Sequence, residues 1–140
     1  MADFDLGRFL DAQQGRHEAA LAELRRGRKQ SHWMWFVFPQ IAGLGTSPTA
    51  RLYAIASADE ARAYLAHPVL GARLRECTTT ALAHRERGAA AIFGAVDAMK
   101  LRSSMTLFEA VADDPAPFAA ALGAFHGGER DSATLRLLGR

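Results

Sequence analysis

Apolar residues recur along the chain at spacings of three and four, interrupted every ten residues or so by glycine, proline and capping residues. That pattern predicts many short helices. Phe4, Leu6, Phe9 and Leu10 fall on one broad face of a first helix that Asp3 or Asp5 can cap. Gly15 marks a bend, and Ala20, Leu21 and Leu24 drive a second helix that stops at Gly27. Ser31 stands where it can cap a short aromatic helix ended by Pro39, and 41–46, with Gly43 and Gly45, reads as a loop. Ser47-Pro48 starts a helix continued by Leu52, Tyr53 and Ile55. Ser57 and Glu60 form a capping box for another through Ala66. His67-Pro68 opens a longer helix with Leu70, Leu74, Cys77 and Ala81 on one stripe, ended by Gly88. A linker through Phe93 and Gly94 leads to Asp97, the expected cap of a helix carrying Leu101, Met105, Phe108 and Ala112. Asp114-Pro115 begins the next, ending near Gly127, and Asp131 or Ser132 caps a short last one. The expectation is an all-α fold: one compact domain over 1–140, a bundle of about six to eight short helices with irregular topology.

Composition strengthens the helical reading. Alanine, the best helix former, is scattered throughout, while Val, Ile, Tyr and Thr are sparse. With 49% hydrophobic and 23% charged residues the chain can bury a core of its own. The net charge of +2 is too small for a nucleic-acid footprint unless concentrated on one face. The cluster Arg25, Arg26, Arg28 and Lys29 falls where cations complement a helix carboxyl end, so a nucleic-acid partner is not expected. One cysteine excludes an internal disulfide. Asp3 and Asp5 stand where a signal peptide would be cationic and then apolar, and the apolar run from Trp33 to Phe38 is far shorter than a membrane span. A cytoplasmic protein with no membrane partner is the expectation.

Most motifs with mechanical meaning fail. His17-Glu18 begins like a zinc-protease helix, but Leu21 stands where the second imidazole is needed, and the five histidines lack ligand spacing, so no metal site is indicated. Gly43-Leu44-Gly45 begins like a dinucleotide turn, but Pro48 replaces the third glycine and no strand precedes it. Cys77 lies on an apolar stripe with nothing nearby to stabilise a thiolate. His84 reads as a solvated helix-end residue.

Two segments remain. In 31–47 four aromatics, Trp33, Trp35, Phe36 and Phe38, lie within six residues, flanked by His32 and Gln40. They read either as core or as the wall of a cleft that stacks a planar ligand such as a nucleobase. Gly43, Gly45 and Ser47, just ahead of a helix amino end, would suit an anion in that cleft. In 97–108, Lys100, Ser103 and Ser104 stand one turn apart on an otherwise apolar helix. They read either as a snorkelling lysine with small packing serines, or as an anion partner with hydroxyl donors. A catalytic Lys–Ser pair is disfavoured, because lysine before serine matches no motif with stated mechanics.

On these residues the chain resembles a mainly bacterial, all-helical family of unknown function, domain of unknown function 1810. Its members share stretches like Gly27-Arg28-Lys29, Ser31 to Gln40, Gly43-Leu44-Gly45-x-Ser47, Tyr53-Ala54-Ile55, His67-Pro68-x-Leu70-Gly71, Phe93-Gly94 and Lys100-Leu101-x-Ser103-Ser104-Met105-Thr106-Leu107-Phe108. The likeness spans nearly the whole chain and implies an all-helical fold but no reaction and no known cofactor. His17 departs from it, since relatives more often carry tyrosine there. Members are sometimes labelled calpastatin. A calpain inhibitor of that kind is a long disordered chain, whereas this composition supports its own core, so the label is rejected.

Two functional expectations follow. The first is a small-ligand domain, for a nucleotide-like or anionic metabolite, with or without catalysis. Its site would comprise His32, Trp33, Trp35, Gln40, Gly43, Gly45, Ser47, Lys100, Ser103 and Ser104, and His32 and Lys100 would have to share one face. The alternative is a non-catalytic module that docks a protein partner through an exposed apolar patch.

Overall fold

The structure, a computed structural model, describes residues 4–140. Among the described residues ten helices follow one another: α1 (Gly7–Gln13), α2 (Arg16–Arg25), α3 (Met34–Val37), α4 (Pro48–Leu52), α5 (Ala58–Ala66), α6 (Leu70–Leu82), α7 (Ala89–Phe93), α8 (Ala95–Val111), α9 (Ala116–His126) and α10 (Ser132–Leu137), with a 3-10 turn at Arg85–Arg87. Six of them have seven residues or more, and among the described residues the only β pairing is an isolated parallel bridge between Ile41 and Ile55. The fold is all-α.

Four helices close on one another: α5 and α9 each pack against both α6 and α8. α2 leans on α6, α1 on α2 and α3, and α7 and α10 on α8. A file of fully buried rings runs through the middle. Phe9 meets Tyr64 edge-on at 5.1 Å, Tyr64 meets Phe108 at 5.4 Å, and Phe108 meets Phe118 at 5.9 Å, joining α1, α5, α8 and α9. Such pairs add about 0.5–1.5 kcal/mol each beyond the area they bury. α5 and α6 approach so closely that a Cβ on Gly71 would sit 2.1 Å from the Leu65 carbonyl oxygen.

Several caps stand as read from the sequence. Ser47, Ser57 and Asp131 accept from the amides of Ala50, Glu60 and Thr134. Others do not. Asp5 makes no cap on α1, and Asp3 lies outside the described residues. Ser31 does not cap α3, because its hydroxyl donates to Glu23 instead. The helix from Pro48 stops at Leu52: the Ile55 amide donates to Gln40 and its carbonyl accepts from Ala42, so this stretch is extended. α8 begins at Ala95, two residues before Asp97, which lies in its first turn. The linker expected before it contains α7, bracketed by Gly88 and Gly94 in the same positive-φ conformation (φ 83° and 85°) that L-residues avoid. Five alanine-rich residues carry too few apolar anchors to announce a helix.

Two buried carboxylates tie the elements together. Arg8 and Glu60 pair at 3.0 Å, with Arg8 also donating to the carbonyls of Leu52 and Ala54 and Glu60 accepting the Ala56 amide. Glu23, 5% exposed near the end of α2, accepts from the amides of Gln30 (2.6 Å) and Ser31 (2.9 Å), the Ser31 hydroxyl and the Trp33 indole N–H (3.0 Å). Burial by itself would raise its pKa; those donors outweigh burial and bring it from 4.5 to about 2.

A depressed carboxylate contributes stability that is present above its unfolded pKa and is lost as pH falls through the folded one. Glu23→Gln should therefore cost about 1–3 kcal/mol at neutral pH, and the gap to the parent should close between pH 4.5 and about 2. Urea unfolding at several pH values measures this; a constant gap across that window would contradict it. Gly71→Ala should destabilise by about 1–3 kcal/mol or more, since the new methyl meets main chain that cannot step aside. Thermal melting reads that loss directly.

Candidate functional site

Glu23 sets the site by fixing the turn that leads into α3. With the Trp33 indole held on Glu23 and 2% exposed, Trp33, Phe36 and Phe38 turn into the core, where Trp33 and Phe38 pack around Phe93. Trp35 is the half-buried member of the four and faces α8. The Lys100 ammonium lies 3.9 Å from its ring centroid and 3.1 Å from Asp97. On its other side Asp97 pairs at 3.0 Å with Lys29, whose ammonium lies over Trp33. Burial alone would raise the Asp97 carboxyl; hydrogen bonds and charges from the two lysines overcome that and hold it below the ordinary carboxylate range. Two cations share one anion, leaving one positive charge in excess.

A cleft of about 320 Å³ opens beside this cluster. Leu44, Val96 and Met99 give it apolar walls, and Gln40, Lys100, Ser103 and Asp131 supply polar groups. Val96 and Met99 are 68% and 64% exposed, unusual for large apolar side chains one turn apart. Ser103 lies within hydrogen-bond reach of the Asp131 carboxylate, 3.1 Å, and of the Met99 carbonyl, 3.3 Å. A smaller hollow of about 60 Å³ adjoins it through Trp35 and Lys100 and is lined by the exposed His32, with Lys29 and Asp97. His32 and Lys100 thus share a face.

The structure brings together Trp35, Gln40, Gly45, Lys100 and Ser103 in the cleft, with His32 at its margin. It does not bring in the other four. Trp33 is not in the cleft: it edges the small hollow and, with Ser31 and His32, a separate one of about 280 Å³, its N–H already spent on Glu23. Ser104 is fully buried on the core side of α8. Gly43 adopts φ 105° and packs against Leu137, and Ser47 spends its hydroxyl capping α4, a five-residue helix. Close packing accounts for Gly45 as well, whose Cβ would fall 2.6 Å from that of Ala50. Lys29, Asp97, Met99, Arg102 and Asp131 were not picked out as site residues by sequence. By sequence Lys29 reads as one more charge at a helix end and Asp97 as a cap. Lys100 is a local partner of Asp97, three residues on, and only the crossing of two distant segments adds Lys29.

Among the described residues the cleft assembles no nucleophile and base, and the one thiol, Cys77, lies outside it. Its Sγ is 4.0 Å from His17 Nδ1, and His17 Nε2 is 3.5 Å from Glu76. Lys100 is held on Asp97 and Ser103 by Asp131, and among the described residues no hydrogen bond joins Lys100 to either serine. Also among the described residues, no group of three or more His, Cys, Asp or Glu side chains is placed to hold a metal ion, and no helix is long and apolar enough to cross a membrane. Burial, with the nearby Glu76 charge, pushes the fully buried Cys77 thiol up to about 12. In the folded protein Cys77 should resist aromatic disulfide reagents at neutral pH and react only as fast as the chain unfolds. Rapid stoichiometric labelling without denaturant would show that it is accessible.

The chain is similar over 98% of its length, and 98% of the other's, to the crystal structure of the conserved hypothetical protein Rv1873 from Mycobacterium tuberculosis, with a TM-score of 0.96 and 49% sequence identity. No curated protein matches it. Residues 3–138 are matched by the family described as protein of unknown function (DUF1810), and the chain belongs to that family.

Proposed function

We propose that the protein binds a small anionic metabolite in the cleft between the 40–45 loop and α8, with Lys100 as its charge partner. The observation that carries this reading is the Lys29–Asp97–Lys100 arrangement. Its excess positive charge is held half-buried against Trp35, where a ligand anion would complete the charge balance. Gln40 and Ser103 would orient the ligand, and the exposed Val96 and Met99 would cover its apolar part. His32, at the margin, would add a donor. A nucleobase stacked on Trp35 fits less well, because the ring face it would use is occupied by the ammonium. The reading is one of binding, and no reaction is assigned.

Phosphorylated and carboxylated metabolites, screened by thermal shift, test it. A ligand that binds only the folded state, at a hundredfold excess over its Kd, should stabilise the parent by about 2.7 kcal/mol. Lys100→Ala should fold normally, since Lys29 still neutralises Asp97, yet lose most of the shift; His32→Ala should weaken it less. Stabilisation that survives intact in Lys100→Ala would sink the assignment. If no anion stabilises the parent, the exposed Val96 and Met99 favour a docking surface for a protein partner instead.

A further inference from the structure

Met99 and Arg102 also line a second hollow, larger than the cleft at about 490 Å³. Its other walls come from the 3-10 turn and α7 (87–91), from Ala98, and from Phe125 and His126 near the end of α9. Among the described residues three buried side-chain polar atoms have no hydrogen-bond partner: Arg102 Nε, His126 Nε2 and Ser104 Oγ. The first two belong to side chains lining this hollow. Buried groups left unpaired are uncommon, because desolvation without a partner is costly, so two in one place call for an occupant. Arg102 Nε always carries a hydrogen, and His126 Nε2 carries one in the imidazolium and in one neutral tautomer, so both can donate. What they lack is an acceptor.

The electrostatics point the same way. Arg87 stands at the edge of the hollow, its guanidinium only loosely held, at 3.4 Å, by the carbonyls of Arg26 and Gly27. Among the described residues no carboxylate lines the hollow; the exposed Glu129 reaches Arg102 Nη1 at 4.0 Å from outside it. The rest of the lining is alanine, Met99 and Phe125.

We propose that this hollow is a second ligand site, which seats a carboxylate or phosphate group against the Arg102 guanidinium and His126 imidazole, whose enclosed Nε and Nε2 donors turn to it on binding, and packs the ligand's apolar part against Met99, Ala98 and Phe125. It does not depend on the reading of the Trp35 cleft, with which it shares only Met99 and Arg102. The charged groups facing His126 are Arg102 from α8, Arg87 from the 3-10 turn and Glu129 from the turn after α9. Burial and the Arg102 charge hold the His126 pKa below its ordinary value, with Glu129 opposing them. An anion between Arg102 and His126 reverses the balance and raises it.

The test is a nitrogen NMR titration of the histidine rings of the full chain with inorganic phosphate and, separately, with octanoate, against chloride at matched ionic strength. His126→Gln identifies the resonance. His126 Nε2 should shift saturably with at least one of the two anions and its pKa should rise on binding. Tighter binding of octanoate identifies a carboxylate on an apolar body as the ligand, and tighter binding of phosphate identifies a phosphorylated one. Arg102→Gln should weaken binding about tenfold or more. Arg102→Lys, which keeps the charge but not the Nε donor, should also weaken it and covers the case in which Arg102→Gln unfolds. Lys100→Ala, which should silence the cleft, should leave this response unchanged. A His126 resonance that neither anion moves, or an affinity that both Arg102 variants leave intact, overturns the proposal.

Discussion

A carboxylate taken out of water must find donors, and the rest of the candidate site depends on where Glu23 finds them. They are the Gln30 and Ser31 amides, the Ser31 hydroxyl and the Trp33 indole, all in the segment that leaves α2 for α3. The carboxylate acts as a template for that turn. It commits Trp33 to the core, turns Trp35 towards α8 and leaves His32 at the surface. The same turn carries Lys29 to Asp97, while the Lys29 amide donates to the Ile92 carbonyl of α7 at 2.7 Å. A single buried charge thus fixes the geometry between a one-turn helix and the longest helix of the fold.

Neighbouring charges follow the same logic of mutual satisfaction. The carboxyl end of α2 is complemented from outside: His84 donates to the Arg25 carbonyl, and Arg87 reaches those of Arg26 and Gly27. Arg8 draws Glu60, the α4–α5 connection and α1 together in one partly buried cluster. Gln13 bridges the Phe36 carbonyl, the Tyr64 hydroxyl and Arg73 inside the core. Against that background of paired polar groups, the excess cation at Asp97 and the idle nitrogens of Arg102 and His126 stand out. Both face hollows that α8 separates, and Met99 and Arg102 are common to the two. One helix therefore organises both candidate sites. The likeness to Rv1873, at 49% identity over nearly the whole of both chains, extends this architecture to a second protein without adding a reaction to it.

Much of the fold was legible in the sequence because helix periodicity and capping are local. The stripe from Leu70 to Ala81, the caps at Ser47, Ser57 and Asp131, and the stop at Gly127 each depend on residues within a turn or two of one another. The failures came where a distant partner outbid a local one. Ser31 gave up a cap for Glu23, Ile55 left its helix for Gln40 and Ala42, and α7 is held by its two glycines and its packing on α8.

The candidate site divides along the same line. The sequence by itself determined an all-helical chain, a dense aromatic segment and a lysine–serine helix, because composition and spacing are properties of one stretch of chain. Only the tertiary structure decided that Trp35 and not Trp33 lines the cleft. A one-turn helix has no amphipathic face to read, and the choice rests on an indole hydrogen bond to another helix. Only the tertiary structure brought Lys29 to the Asp97–Lys100 pair, which spans a single turn of α8, and put the unpaired Arg102 and His126 side chains on one hollow. Charge balance and cavity shape are set between segments far apart in sequence, and no local pattern encodes which of them meet.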